Sequence, residues 1–145
     1  MSILSIATSG LSAASLRLNV AANNIANAQT TGPLPATDGS GTSGGASGSS
    51  NSSNFPAAYV PLQVNQTDQS GGGTVATVSA VSPGFVPQSD PSAPFANQDG
   101  LVAAPNVDLA SQFVQLLTAK YSFAANAKVI QAYANTTKAL LDITT

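Results

Sequence analysis

Six aspartates and many serines are the side chains of this sequence with the types to do acid–base or nucleophilic chemistry. Neither set has the partners that chemistry needs. The sequence holds no His, Cys, Glu or Trp, so no imidazole base activates a serine, no thiolate attacks a carbon, and no thiolate site holds zinc. Asp90 and Asp99 can be imagined as a carboxylate pair, but no regular element spaces them. The Gly71-Gly72-Gly73 run is not followed by Lys-Ser or Lys-Thr, nor by a helix, so it is not a phosphate loop. We therefore expect no catalytic residues, no metal site, no bound cofactor and no enzymatic activity.

The charges point the same way. Only Arg17, Lys120, Lys128 and Lys138 are basic, and four scattered cations cannot neutralise many phosphates, so nucleic acid is not an expected partner. Charged residues make up 7% of the 145, against about 25% in an ordinary soluble domain. Yet 43% are hydrophobic. An apolar, nearly uncharged chain without chemical groups is suited to assembly.

The amides are more informative than the acids. Asn19, Asn23 and Asn27 follow an i, i+4 ladder, with Asn24 beside it. Asn is a weak residue inside a helix, because its amide competes for backbone bonds. Such a ladder is either a solvated polar face or a set of amides that cross to neighbouring elements and fix their register. On the second reading, the segment frays in a lone chain and orders on packing.

The elements that must position these residues follow from the punctuation. All nine prolines lie between Pro33 and Pro105, and the flanks 1–32 and 106–145 hold only Gly10 and Gly32. The chain thus reads as helix, irregular middle, helix. In the first flank Leu4, Ala7, Leu11, Ala14, Leu18, Ala21, Ile25 and Ala28 alternate steps of three and four, the period of an interhelix seam. The simpler alternative is an amphipathic helix on its own core. Ser2 or Ser5 is placed to cap the start, and Gly32-Pro33 to end the helix.

The second flank opens at Pro105-Asn106, with Asn106 as the expected cap and Asp108 in the first turn. One stripe runs Leu109, Phe113, Leu116, Lys120, Phe123, Ala127, Ile130, Ala134, Thr137 and Leu141. A second set, Ala110, Val114, Leu117, Tyr121 and Ala124, lies beside it, and Val129, Tyr133 and Leu140 form a third. A helix apolar around so much of its circumference needs more than one neighbour. Copies of the chain, or a middle region folding back, would supply it.

Residues 33–54 read as a Gly/Ser linker. Residues 55–105 read as a small β-hairpin, Ala57–Val64 with Thr74–Val81, followed over 82–105 by an irregular Pro-rich strap. The expected fold class is mainly α. The terminal helices, roughly 37 and 52 Å long at 1.5 Å per residue, form an antiparallel coiled-coil-like pair, with Leu4–Ile25 against Leu109–Leu141. No basic residue precedes Arg17, so the first flank does not read as a secretory signal, and polar residues interrupt any membrane span.

Two stretches carry a family resemblance. Ser9-Gly10-Leu11-Ser12-Ala13, then Arg17-Leu18-Asn19-Val20-Ala21-Ala22-Asn23-Asn24-Ile25-Ala26-Asn27-Ala28 and Thr30-Thr31-Gly32, resemble the N-terminal signature of bacterial flagellar rod and hook axial proteins. Asp99-Gly100-Leu101-Val102 with Pro105-Asn106-Val107-Asp108 is similar to the "GYV-x-x-PNVD" segment of the C-type proximal rod proteins. Ala119 to Asn126 resembles their "A-R-x-Y-x-A-N" stretch, and Ser89 to Pro94 their "DPxHP" strap without the His. Leu101 departs from the family's aromatic and Gln112 from its common acid. Pro33-Leu34-Pro35 replaces aromatic and basic residues, and residues 37–54 have no counterpart.

The resemblance implies a structural subunit of the basal-body rod, exported without a cleaved signal through the flagellar type III apparatus. It would pack with copies of itself and other rod proteins into the periplasmic drive shaft for motility. A secreted helical-hairpin adaptor or effector with a single protein partner is the competing reading.

Overall fold

A computed structural model describes residues 2–35 and 55–143. The expected linker lies almost wholly outside the described residues. Six elements follow in order: α1 (Ile3–Ala26), β1 (Leu62–Asp68), β2 (Thr74–Ala80), β3 (Phe85–Ser89), β4 (Leu101–Pro105) and α2 (Leu109–Ile143). Two terminal helices thus flank a small antiparallel β region.

Helix α1 starts as its serines dictate. Ser2 is the cap, its hydroxyl accepting from Ser5 N–H at 3.2 Å. The helix ends at Ala26, well before Gly32. Asn27 takes a non-helical ψ of 9°, and its backbone N–H bonds back to Asn23 C=O. Gly32 has another job. It exchanges backbone bonds with Ala103 at 2.9 and 3.0 Å, and a Cβ there would strike the Ala57–Ala58 backbone. Gly32 therefore permits a close chain crossing rather than capping the helix.

Helix α2 also starts later than expected. Asp108 caps it, Oδ1 accepting from Ala110 N–H at 3.0 Å, which places the carboxylate on the positive end of the helix dipole. Asn106 instead ties the two ends of the second hairpin together. Its Nδ2 donates to Pro83 C=O at 3.0 Å and its backbone N–H to Gly84 C=O.

The helices pack antiparallel. Asn24 of α1 reaches Gln112 of α2 at 3.0 Å, Gly10 faces Asn126, and Leu4 borders a groove with Ile130, Tyr133, Ala134 and Leu141. The α1 side of this contact is the Ala half of the expected seam: Ala7, Ala14 and Ala21 are buried. The α2 side differs from expectation. The covered line is Gln112, Leu116, Ala119, Ser122, Asn126 and Ile130, while Leu109, Phe113, Phe123 and Leu141 stay exposed. An α1 face built of Ala and Gly lets the two helices approach closely, and Ala119 of α2 is enclosed at 0% exposure.

The first hairpin pairs β1 with β2 from Leu62↔Ala80 to Asp68↔Thr74. The second strand matches expectation, but β1 begins at Leu62, five residues after the expected Ala57. The hairpin lies along α1. Asn24 holds its base through Leu62, and Ser9 Oγ accepts from Thr74 N–H at 3.2 Å at its tip. The lengths agree: seven strand residues span about 23 Å, and the α1 stretch from Ser9 to Asn24 rises about 22 Å. Gly73, at φ +95°, lets the tip close on Ser9, because a Cβ there would lie 2.7 Å from its hydroxyl.

Residues 82–105 are a second hairpin rather than an irregular strap. β3 pairs with β4 from Phe85↔Pro105 to Ser89↔Leu101. Proline does not forbid this ladder. Pro87 stands opposite Ala103, whose backbone N–H and C=O both turn away to Gly32. At such a non-hydrogen-bonded pair no donor is required of the proline. β4 is central as a result, with Val102, Ala103 and Ala104 buried.

Candidate assembly interface

The core is built from the smallest apolar residues. Among the described residues its buried hydrophobic members are seven alanines on the helices and β4, Ala7, Ala13, Ala14, Ala21, Ala103, Ala104 and Ala119, together with Val20 and Val102. The larger side chains are outside. In α2 only Ala119 is buried out of 35 residues. Phe113 is 54% exposed, Val114 62%, Leu117 50% and Tyr121 70%. These four form one ridge on the first half of α2, since residues three and four apart share a helix face. Val129, Tyr133, Leu140 and Leu141 are exposed further along, and Ile3, Leu4 and Ile6 on the first turn of α1. No strand of the described middle region packs closely on α2, and both strands of the first hairpin pack on α1. Soluble monomers rarely leave such contiguous apolar surface in water, and where they do it marks a contact site.

The seam and ridge residues divide accordingly. Ala7, Ala14 and Ala21 are buried, Leu11, Leu18, Ile25, Leu116 and Ile130 are half-buried, and Leu4, Leu109, Phe113, Leu117, Phe123 and Leu141 are exposed. The last group is open to solvent, with Leu4 and Leu141 lining one groove.

The asparagines split as well. Asn23 Nδ2 donates to Asn19 C=O at 2.7 Å, and Asn27 Nδ2 to Asn23 C=O at 2.9 Å. These amides bond back along their own helix, which is continuous to Ala26. Asn24, at 1% exposure, is the one that crosses. Its Nδ2 donates to Leu62 C=O at 2.7 Å and to Gln112 Oε1 at 3.0 Å. Its Oδ1 accepts from Leu62 N–H at 3.0 Å and from the Tyr59 hydroxyl at 2.9 Å. One amide thus joins α1, β1, the chain entering β1, and α2, with its hydrogen-bonding capacity used. Burial of the Tyr59 phenol pushes its pKa above the ordinary 10.0.

Tyr59, Leu62 and Gln112 carry no sequence signal of this role, because the junction joins residues up to 88 apart in the chain. The remaining motif residues shape turns and ends. Gly100 has φ +72°, and the preceding Asn97 Oδ1 accepts from Asp99 N–H and Leu101 N–H at 3.0 and 2.8 Å. Pro105 closes β4, buried. Asn126 bonds back to Ser122 C=O at 2.9 Å and faces Gly10. Arg17 lines a groove between the first hairpin and α2. Among the described residues no cluster of acids has the arrangement of a metal site, and no helix is long and apolar enough to cross a membrane.

Two family models match the two ends that form the helical pair. The model described as flagella basal body rod protein matches residues 4–33, and the model described as flagellar basal body rod FlgEFG protein C-terminal matches residues 98–143. Curated relatives extend the match over the whole chain. Flagellar basal-body rod protein FlgC of Yersinia enterocolitica is 36% identical, over 97% of this chain and 92% of its own length. The chain belongs to the flagellar basal-body rod protein family. The FlgC proteins of Salmonella typhimurium and Escherichia coli O6:H1 are 33% and 34% identical over the same shares. The expected family is therefore the correct one. This FlgC-like rod protein is a structural basal-body subunit, and the single-partner adaptor is the less favoured reading.

Proposed function

We propose that this rod protein polymerises through its terminal helices, and that the exposed faces of α2 are buried by neighbouring copies and by other rod proteins. The observation that carries this is the inverted distribution of side-chain size, with alanines inside and Phe113, Leu117 and Tyr121 outside. A surface used in one fixed packing, and shed when the subunit is alone, has this composition. The contact is heterologous, one face against a different face, so it propagates as a helix instead of closing into a dimer.

In this reading the two helices act as one coiled-coil-like core, 1–32 with 106–145, joined by the 33–54 linker to an outer β unit of 55–105. The helix residues that carry assembly are Leu4, Leu109, Phe113, Leu117, Phe123 and Leu141 outward, and the alanine seam inward. The product is the periplasmic drive shaft that transmits torque for motility. Its role is mechanical, without catalysis. The type III export apparatus is a transient partner, and a thin alanine core, cheap to unfold, suits a chain that passes through it unfolded.

Tyr121→Asp tests this reading. Tyr121 is 70% exposed, so the variant should fold with a stability change within about 0.5 kcal/mol. In cells it should lose rod assembly and swimming, because a buried unpaired carboxylate is costly. Normal basal bodies carrying Tyr121→Asp would refute the proposed interface.

A further inference from the structure

The groove between β1 and α2 holds a charge without a counter-charge. Arg17 lines it, with Gln63 and Val64 from β1 and Val114, Gln115 and Thr118 from α2. Arg17 is half-buried, and among the described residues its guanidinium has no hydrogen bond or ion pair. It is also the only basic residue before Lys120. A guanidinium withdrawn partly from water is stabilised chiefly by a planar acceptor, and a carboxylate matches its fork with two parallel bonds. The walls supply what such a guest needs around it. The Gln63 and Gln115 amides can donate, and Val114 continues into the exposed ridge of Phe113, Leu117 and Tyr121. The groove volume, about 320 Å³, admits one short acidic side chain and the turn that carries it.

We infer that this groove is a socket for an aspartate carboxylate of a second copy of the chain. The inference rests on the rod reading and names one of its contacts. The guest is sought on the same chain, because Asp68 at the end of β1 and Asp99 in the β3–β4 loop are exposed. Neither carboxylate has a partner among the described residues. The socket is continuous with the proposed assembly ridge, so a subunit seated on that ridge is positioned to fill it. The pair would orient neighbouring subunits, since a bidentate ion pair is directional where the apolar ridge is not.

The test uses the full chain in flagellated cells as the sole copy. A photo-reactive benzoylphenylalanine at Gln115 should give a covalent homodimer whose linked peptide contains Asp68 or Asp99. Arg17→Gln should lower incorporation into rods by at least about tenfold, while its circular dichroism and urea midpoint as a purified chain stay near those of the unsubstituted protein. Arg17→Asp should be as defective, and Asp68→Arg or Asp99→Arg in the same chain should restore it.

Normal incorporation of Arg17→Gln, adducts only to a different protein, or restoration by neither reversal would overturn the inference. The Tyr121→Asp strain separates the two ideas. If it loses rods while Arg17→Gln does not, the socket fails and the rod reading stands. If both strains assemble normally, both fail.

Discussion

Replacing Asn24 by Ala should unfasten the β unit from the helical pair. The side chain is 1% exposed and makes four hydrogen bonds. Two of them, to Leu62 N–H and Leu62 C=O, occupy the backbone edge of the first residue of β1. The Tyr59 hydroxyl and the Gln112 amide are on half-buried residues, so water can replace Asn24 for them. Leu62 is half-buried too, but its N–H and C=O both point at the buried Asn24 side chain, where Ala leaves them without a partner at a cost of about 1–3 kcal/mol each. Against this, Ala gains roughly 0.5 kcal/mol of helix propensity over Asn. The net expected loss is therefore about 1.5–5.5 kcal/mol, a large share of the 5–15 kcal/mol typical of a domain.

Urea denaturation followed by far-ultraviolet circular dichroism reads this as a midpoint lowered by about 1–3 M. The control is Asn23→Ala, the same substitution one residue earlier. Asn23 is exposed and bonds only to Asn19 C=O on its own helix, so its loss should be neutral or slightly stabilising. If the two variants unfold within about 0.5 kcal/mol of each other, the four-bond junction does not hold the fold together and the argument is wrong.

Three further outcomes follow from the same geometry. Gly10→Ala puts a methyl 2.7 Å from the Asn126 amide; thermal denaturation should show a loss of about 1–2 kcal/mol, recovered in the Gly10→Ala/Asn126→Ala double variant, and a more stable single variant would deny the close approach. Gly100→Ala forces a side chain into φ +72° beside Pro91, costing about 1–2 kcal/mol, which the urea midpoint checks. Burial raises the Tyr59 pKa above 10.0, so the stability of the neutral phenol is fully present below pH 10 and is lost as pH rises through the higher folded value. Phenolate absorbance should contain a component above pH 10 that Tyr59→Phe removes; an unchanged titration in that variant would sink the assignment.

The helices themselves were legible in the sequence because helix formation is local. Ser2 caps, proline is absent from both flanks, and apolar residues recur every three or four. Their ends were less legible. Asn27 and Asp108 decide them, while Gly32-Pro33 and Asn106, which look like better signals, are committed to long-range contacts with Ala103 and with Pro83 and Gly84. The second hairpin was hidden for the same kind of reason. Pro87 reads as a strand breaker until its partner Ala103 is seen bonding to Gly32 on the other side.

The amino-acid sequence by itself determined that this protein does no His- or Cys-based chemistry, that its ends are helical, and that α2 carries more apolar surface than one neighbour can cover. Those properties depend on residue type and on a period of 3.6, both of which are local. Only the tertiary structure decided which surface is spent internally. The alanine and glycine face of α1 takes the α2 line that runs from Gln112 through Leu116 and Ala119 to Ile130, with Ala119 fully enclosed. That choice leaves Phe113, Leu117 and Tyr121 facing outward, and makes Asn24, one of four similar asparagines, the residue on which three elements meet.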